Sequence, residues 1–497
     1  MRDGDYDCDV LIVGLGPVGA MLGVLLARAG VSNIAIDKDT AVYPLPRAAH
    51  FDHEIMRIFQ QVGIADEVGR HARPAPAYEF RAADGQLLVR MDLPQLAPCG
   101  WAAGYMFHQP AVENALRAKL DESPLAQVRL AHRFAGLDQD ADGVTAHIEG
   151  ADGASSIHAR YLVGCDGASS LVREALGIGL DDYRFDEPWL VIDAVAEGAR
   201  LPEVNLQVCD PARPTTCVLM GPGRHRWEFM LLPGETPEQM LDDDVIAALL
   251  APWDCGPVTI ERKAVYRFHG LVAKAWRSGR VLLAGDSAHQ MPPFAGQGMC
   301  SGLRDAANLA WKLKAVLAGD ADDALLDTYQ AEREPHVRTY IELAIGMGRV
   351  VCTLDPQIAA QRDAGMLAQR AAGAPPLPPA TPAPLAGGGV MAGAVGAGAL
   401  FPQPVSGPLE QRLRLDEVLG DGPWLIARTA APDGALPAFD LTEPRLAPFR
   451  ADLARWLDAH GAEAVLVRPD RYVFGAGEPQ ALTAAYRQAL RRTERTT

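Results

Sequence analysis

Residues Val10-Leu11-Ile12-Val13-Gly14-Leu15-Gly16-Pro17-Val18-Gly19 constrain this chain more than any other stretch. The β-branched apolar run over 9–13 fits a buried parallel strand. Gly14 breaks it. Pro17 to Ala29 reads as a helix and Gly30 as its stop. Asn33 to Ile36 reads as a second strand ending at Asp37, which closes a βαβ unit. The three glycines act differently. Gly14 allows the tight turn, Gly16 lets backbone amides approach a pyrophosphate, and Gly19 lets helix and strand pack closely. The helix opened by Pro17 and Val18 offers partial positive charge to phosphates. Asp37, about 20 residues on with Lys38 beside it, would accept hydrogen bonds from an adenosine ribose.

A second signature follows about 270 residues later: Arg280-Val281-Leu282-Leu283-Ala284-Gly285-Asp286-Ser287-Ala288-His289. It reads as a strand end delivering Asp286 to a polyol. Together the two suggest one long cofactor held at both ends, and FAD fits better than NAD. Pro292-Pro293 forces an extended loop. Gly296, Gln297 and Gly298 let backbone pass close to a flat ring, with Met299 next to it. The helix that follows would aim its N-terminus at the flavin N1–C2=O edge. The competing reading is a turn and a capped helix without cofactor. Between the two signatures, Cys165-Asp166-Gly167 leaves a short strand and sets Asp166 at its exit. Arg47, in an irregular Pro-containing segment, is expected on the ribose or pyrophosphate. Gln109 is expected on ribityl or pyrophosphate oxygens.

The chain has 497 residues and a formal net charge of −17. That length allows two or three domains with cores. The acidic balance disfavours sequence-independent nucleic-acid binding. Val10 to Ala27 is nearly long enough to span a membrane. Asp3, Asp5, Asp7 and Asp9 precede it instead of a basic region, so it reads as the nucleotide-binding unit and no membrane association is expected. Eight dispersed cysteines without a CxxC pair read as reduced and cytoplasmic, and no metal site is indicated.

Short helices are expected at Ile55–Val62 and Ala111–Glu122, and a hairpin over 127–149 turning at Asp142-Gly143. A short strand is expected at Tyr161–Val163, strand-rich structure over 185–270, and helices over 302–317 and 322–350. Residues 371–398 are almost all Ala, Gly and Pro and read as a linker. Beyond them, strands at Trp424–Ala427 and Ala464–Val467 and helices at Pro448–Ala459 and Pro479–Arg492 suffice for a small α/β domain.

The combination of Gly14–Gly19, Cys165-Asp166-Gly167 and Gly285-Asp286 with Ala288-His289 resembles the group A FAD-dependent aromatic hydroxylases. Within that group the chain is most similar to the 3-(3-hydroxyphenyl)propionate hydroxylases. Asp52-His53-Glu54, Phe107-His108-Gln109-Pro110, Arg226-Trp227-Glu228-Phe229-Met230 and Val467-Arg468-Pro469-Asp470-Arg471 carry that likeness. Ser287 and Met299-Cys300 depart from the common pattern. The resemblance implies an α/β fold: a Rossmann-like FAD domain (1–75, 101–180, 271–350), an inserted mostly β substrate domain (76–100, 181–270) and a thioredoxin-like C-terminal domain (399–497). It also implies the reaction. NADH or NADPH reduces FAD, O₂ adds to give a C4a-hydroperoxide, and that species hydroxylates a phenol. His53, Tyr105, Arg213, Arg226 and Gln297 are the candidates for substrate contact. A small aromatic substrate and O₂ are the expected partners, and a homodimer is left open. A tailoring hydroxylase of a polycyclic phenol, or a flavin-binding protein without catalysis, would share the framework.

Overall fold

The computed structural model describes residues 6–491, apart from 197–200, 222, 374–382, 409–410 and 430–435. The first strand, Cys8–Val13, is flanked by Gly153–Gly164 and Asn33–Ile36, both parallel to it. Val281–Leu283 and Ala126–Arg129 extend the sheet in parallel on either side. Val10 to Val13 are buried, as expected where helices cover both faces of a parallel sheet. The strand expected at Tyr161–Val163 is far longer, because its first half pairs with Val144–Gly150 as a hairpin.

A second sheet of eight strands stands against the first and runs from His289–Gln290 to Leu87–Asp92. Its core is antiparallel: Thr259–Ala273, Leu180–Val195, Arg224–Met230 and Thr215–Leu219. Alternation along these strands gives the sheet two different faces. Leu190, Ile192, Ala194, Trp227 and Phe229 point outward, onto Met240, Ile246 and Leu250 of two short helices. Trp189 and Met230 join the main core on the other face. A three-stranded sheet (His50–Asp52, Gly104–Phe107, Ala72–Pro74) lies between.

The helix expected over 302–317 begins earlier, at Gly298, and the next one spans Thr328–Val351. A further helix, Pro356–Ala371, was not anticipated, since its helix-forming residues adjoin the Ala/Pro-rich stretch. Much of that stretch (374–382) lies outside the described residues. The C-terminal sheet has the order Ala438–Asp440, Trp424–Ala427, Ala464–Val467, Val473–Gly477. Its first pair is parallel and the rest antiparallel, with helices Arg450–Ala459 and Pro479–Leu490, which is a thioredoxin-like arrangement.

Buried ion pairs tie this C-terminal unit down. Arg57 donates to both oxygens of Asp416 (2.9 and 2.7 Å). Arg468 donates to Glu332 (2.8 Å), and Asn308 to Asp470 (3.1 Å). All eight cysteines are free thiols. Among the described residues no helix is long and apolar enough to cross a membrane, and no cluster could hold a metal.

Candidate active site

The glycine turn is forced by its neighbours. Gly14 has φ +99°, and a Cβ there would lie 2.5 Å from the Cys165 carbonyl oxygen. A Cβ on Gly19 would overlap the Gly14 carbonyl. The helix from Pro17 has no side-chain cap, so its first-turn N–H groups are free for an anion. Asp37 takes the Leu15 N–H on Oδ2 (2.7 Å) and the Asp39 N–H on Oδ1 (2.9 Å), and is only half-buried. Lys38 is exposed and pairs with Asp39. The exposed Arg47 guanidinium lies 3.9 Å from where a Gly16 Cβ would sit, over the phosphate-binding turn.

The second signature closes on the first. A Cβ at Gly302 would meet Val18 at 2.5 Å, and one at Gly285 would meet it at 2.9 Å. Gly285 also has φ +65°. The two helices that begin at Pro17 and Gly298 therefore converge on Gly285-Asp286. Asp286 is reached by solvent, yet it is surrounded densely enough that desolvation raises its pKa. A carboxylate on the floor of a cleft behaves this way. Asp166 accepts from the Val172 N–H on Oδ2 (3.1 Å), while its buried Oδ1 has no partner among the described residues. Burial raises its pKa as well.

Pro292 is extended, Pro293–Ala295 makes one tight turn, and Gly296 adopts φ +63°. A Cβ on Gly296 would lie 2.8 Å from His50. The helix then starts at Gly298 without a side-chain cap, leaving the first-turn N–H groups of Gly298, Met299 and Cys300 available. The orphaned Asp166 oxygen, the cleft carboxylate Asp286, the side-chain-free turn and two uncapped helix ends all fit FAD.

Two buried networks hold this loop. Arg304 donates to Glu54 (2.6 Å), to Gln297 Oε1 (2.9 Å) and to Asp52. Gln297 Nε2 donates to Asp52 (3.2 Å), and Asp52 caps the helix His53–Gln61. Tyr472, from the C-terminal unit, donates to Glu54 (2.8 Å). In the second network Asp305 accepts from the Gly285 N–H (3.2 Å), pairs with His289 Nε2 (2.6 Å) and is held by Arg333 (2.9 Å). His289 and Arg333 hold its carboxyl below the usual range despite burial.

Several of the expected site residues have partners within the protein. Gln109 is buried, and its amide serves the protein. Oε1 accepts the N–H groups of Arg47 (2.9 Å) and Ala48 (2.5 Å), and Nε2 donates to Glu113 (2.6 Å). It thereby positions the Arg47 loop. Arg226 holds the other side of that loop, donating to the carbonyls of Pro46 (2.7 Å) and Arg47 (2.8 Å) and to Asp193 (2.6 Å). Arg213 is committed to Glu235 through two bonds of 2.6 Å. The Tyr105 ring stacks on Phe51, and its hydroxyl accepts the Ala102 N–H (3.0 Å). His53 is half-buried, and its Nδ1 has no partner among the described residues. Asp52, Glu54, Arg304 and His50 were missed. In the Asp52-His53-Glu54 run it is the flanking carboxylates, not the histidine, that meet Arg304.

Comparison with known proteins agrees with this site. A family described as "FAD binding domain" matches residues 7–344, and one described as "HcaD C-terminal domain" matches residues 443–492. The chain belongs to the FAD-dependent aromatic hydroxylases. A protein of Rhodococcus jostii (strain RHA1) named "Probable NADH-specific resorcinol 4-hydroxylase" is 40% identical, covering 97% of this chain and 94% of its own. A "3-(3-hydroxy-phenyl)propionate/3-hydroxycinnamic acid hydroxylase" of Mycobacterium sp. (strain JLS) is 36% identical over 95% of this chain and 89% of its own. Among solved structures, a ternary complex of aklavinone-11 hydroxylase with FAD and aklavinone superposes with a TM-score of 0.78. It is 25% identical and covers 99% of this chain and 100% of its own. The chain is an FAD-dependent aromatic monooxygenase.

Proposed function

We propose that this hydroxylase acts on a small monocyclic phenol with a substituent at ring position 3, using NADH as reductant. The supporting observation is that relatives spanning nearly the whole chain are named for two such phenols, resorcinol and 3-(3-hydroxyphenyl)propionate. NADH is taken from the name of the first of them. FAD, when bound, accepts electrons from the nicotinamide and activates O₂ for transfer of one oxygen atom to the ring. The rest falls to the protein. Asp37 and the open N–H groups after Gly16 would hold the adenosine and pyrophosphate. Asp166 and Asp286 would take polyol hydroxyls. The helix end at Gly298 would stabilise negative charge on the reduced ring. Phe294, packed against Trp189 (5.6 Å) and Phe268 (6.1 Å), would help keep water from the loop.

The division into an FAD unit, an inserted β unit and a C-terminal unit is likewise our reading, supported by their separate sheets. Eight free thiols support a cytoplasmic setting. The aklavinone complex favours a second reading, a polycyclic phenol in the same cleft. The test is NADH oxidation by the FAD-loaded protein with resorcinol, with 3-(3-hydroxyphenyl)propionate and with neither, products identified. Strong stimulation with a ring-hydroxylated product supports the proposal. No stimulation by either phenol would move the assignment to a larger ring system.

A further inference from the structure

The inner face of the large sheet presents three rows of side chains toward the cofactor unit. The first, Trp189 and Met230 on paired strands, packs into the main core, where Trp189 meets Phe294 of the flavin loop. The third, Asp193 and Arg226, reaches the carbonyls of Pro46 and Arg47. The middle row is Val191, Glu228, Thr216 and Gln207. Successive rows on one face are about 7 Å apart. Glu228 thus lies between the two loops that flank the flavin site.

The rest of its row is already satisfied. Thr216 donates to Gln207 Oε1 (2.6 Å), and Gln207 Nε2 donates to Tyr78 (2.7 Å). The Tyr78 hydroxyl donates to the Phe294 carbonyl (3.0 Å). Glu228 is 6% exposed, and among the described residues no donor bonds to it. Arg226 stands 3.8 Å away, but its donors go to Asp193, Pro46 and Arg47. A buried carboxyl with its acceptors unused, set between the two loops, is placed to take a donor from a ligand.

We propose that Glu228 accepts the hydrogen bond, and then the proton, of the substrate phenol. The phenol O–H bond breaks, its electron pair stays on oxygen, and a new O–H bond forms on the Glu228 carboxylate. The resulting phenolate is the electron-rich ring that an electrophilic oxygen attacks. No other reactant is needed for this step. The charged groups facing Glu228 are Arg226 on its own strand and Asp193 and Arg262 on neighbouring strands, with the neutral, titratable Tyr78 across the sheet. Burial is the largest influence and raises the Glu228 pKa, bringing it nearer to that of a phenol. The assignment rests on the hydroxylase reading above.

The test compares FAD-loaded wild type, Glu228→Gln and Glu228→Asp. Oxidised enzyme is titrated with resorcinol and with 3-(3-hydroxyphenyl)propionate across pH, using the flavin absorbance change. Turnover is then measured with each phenol and with its ring-fluorinated, more acidic analogue. For wild type, binding should weaken as pH falls through the Glu228 pKa, while the Gln variant should bind without that dependence. Turnover of the Gln variant should fall by roughly 10²–10⁴-fold, the usual reach of general acid–base catalysis. It should recover with rising pH and with the fluorinated phenol, and the Asp variant should keep part of the rate. A Gln variant that holds FAD but loses equal activity on ordinary and acidified phenols, or keeps the wild-type binding profile, would overturn the role of Glu228 alone. If neither phenol perturbs wild-type flavin, the substrate reading fails and takes the Glu228 assignment with it.

Discussion

Replacing Arg304 by methionine should destabilise the fold and weaken FAD binding together. Arg304 is 4% exposed and is the cation for two buried carboxylates, Asp52 and Glu54. It also orients Gln297, at the entry of the helix expected to face the flavin. Removing one partner of a buried pair costs about 3–5 kcal/mol, because the remaining charge stays desolvated. Here two carboxylates are left facing each other, so the upper part of that range applies. The pH dependence has a definite sign. In the wild type burial pushes the Asp52 carboxyl up, but Arg304, with the neighbouring His53 and His50, more than offsets it and holds the carboxyl below its ordinary range. That stability is present above the unfolded-state pKa and is lost as pH falls. Without Arg304, burial prevails and the folded-state pKa rises above the unfolded value. The variant is then penalised at neutral pH and relieved as pH falls and the carboxylates take up protons. The gap between wild type and variant should be widest near pH 7 and narrow toward pH 4–5. Urea denaturation midpoints across that range, with FAD dissociation constants at each pH, measure it. A neutral-pH loss below about 1 kcal/mol, or a gap that widens on acidification, would refute the reasoning.

Gly14→Ala should abolish tight FAD binding, since the added Cβ meets the Cys165 carbonyl at 2.5 Å and φ is +99°; flavin retained on purification reads it. Asp286→Ala should weaken FAD by about 10–100-fold, the worth of a hydrogen bond to a charged group, with little change in the apoprotein melting temperature. Glu332 has its pKa lowered from 4.5 to about 2, with Arg468 the main counter-charge and Lys312 assisting. Stability should fall by up to about 3 kcal/mol as pH drops from 4.5 toward 2, and Glu332→Gln should flatten that slope in acid denaturation.

The nucleotide-binding half was legible because its signals are local. The turn at Gly14, the acid at Asp37 and the strand end at Asp286 each follow from a few adjacent residues. Hence Asn33–Ile36 coincides with the expected strand, and in the C-terminal unit Trp424–Ala427 and Ala464–Val467 do too. The substrate side was not legible in the same way. Along the chain, Arg213 and Arg226 are equally good candidates for a substrate cation. Only the pairing of strands shows Arg213 spent on Glu235 and Arg226 on Asp193. Nothing local to Gln109 shows that the fold brings the Arg47 and Ala48 N–H groups to it.

Sequence alone determined the βαβ unit, FAD as the cofactor and the family, because glycine spacing and strand-end acids act over a turn of chain. Tertiary structure decided which charges are free. Arg304 is 252 residues from Asp52, and Tyr472 is 418 residues from Glu54. Whether a buried carboxylate is neutralised, or left open for a ligand as at Glu228, depends on donors brought from such distances. Desolvation makes that distinction energetically large, and no local pattern records it.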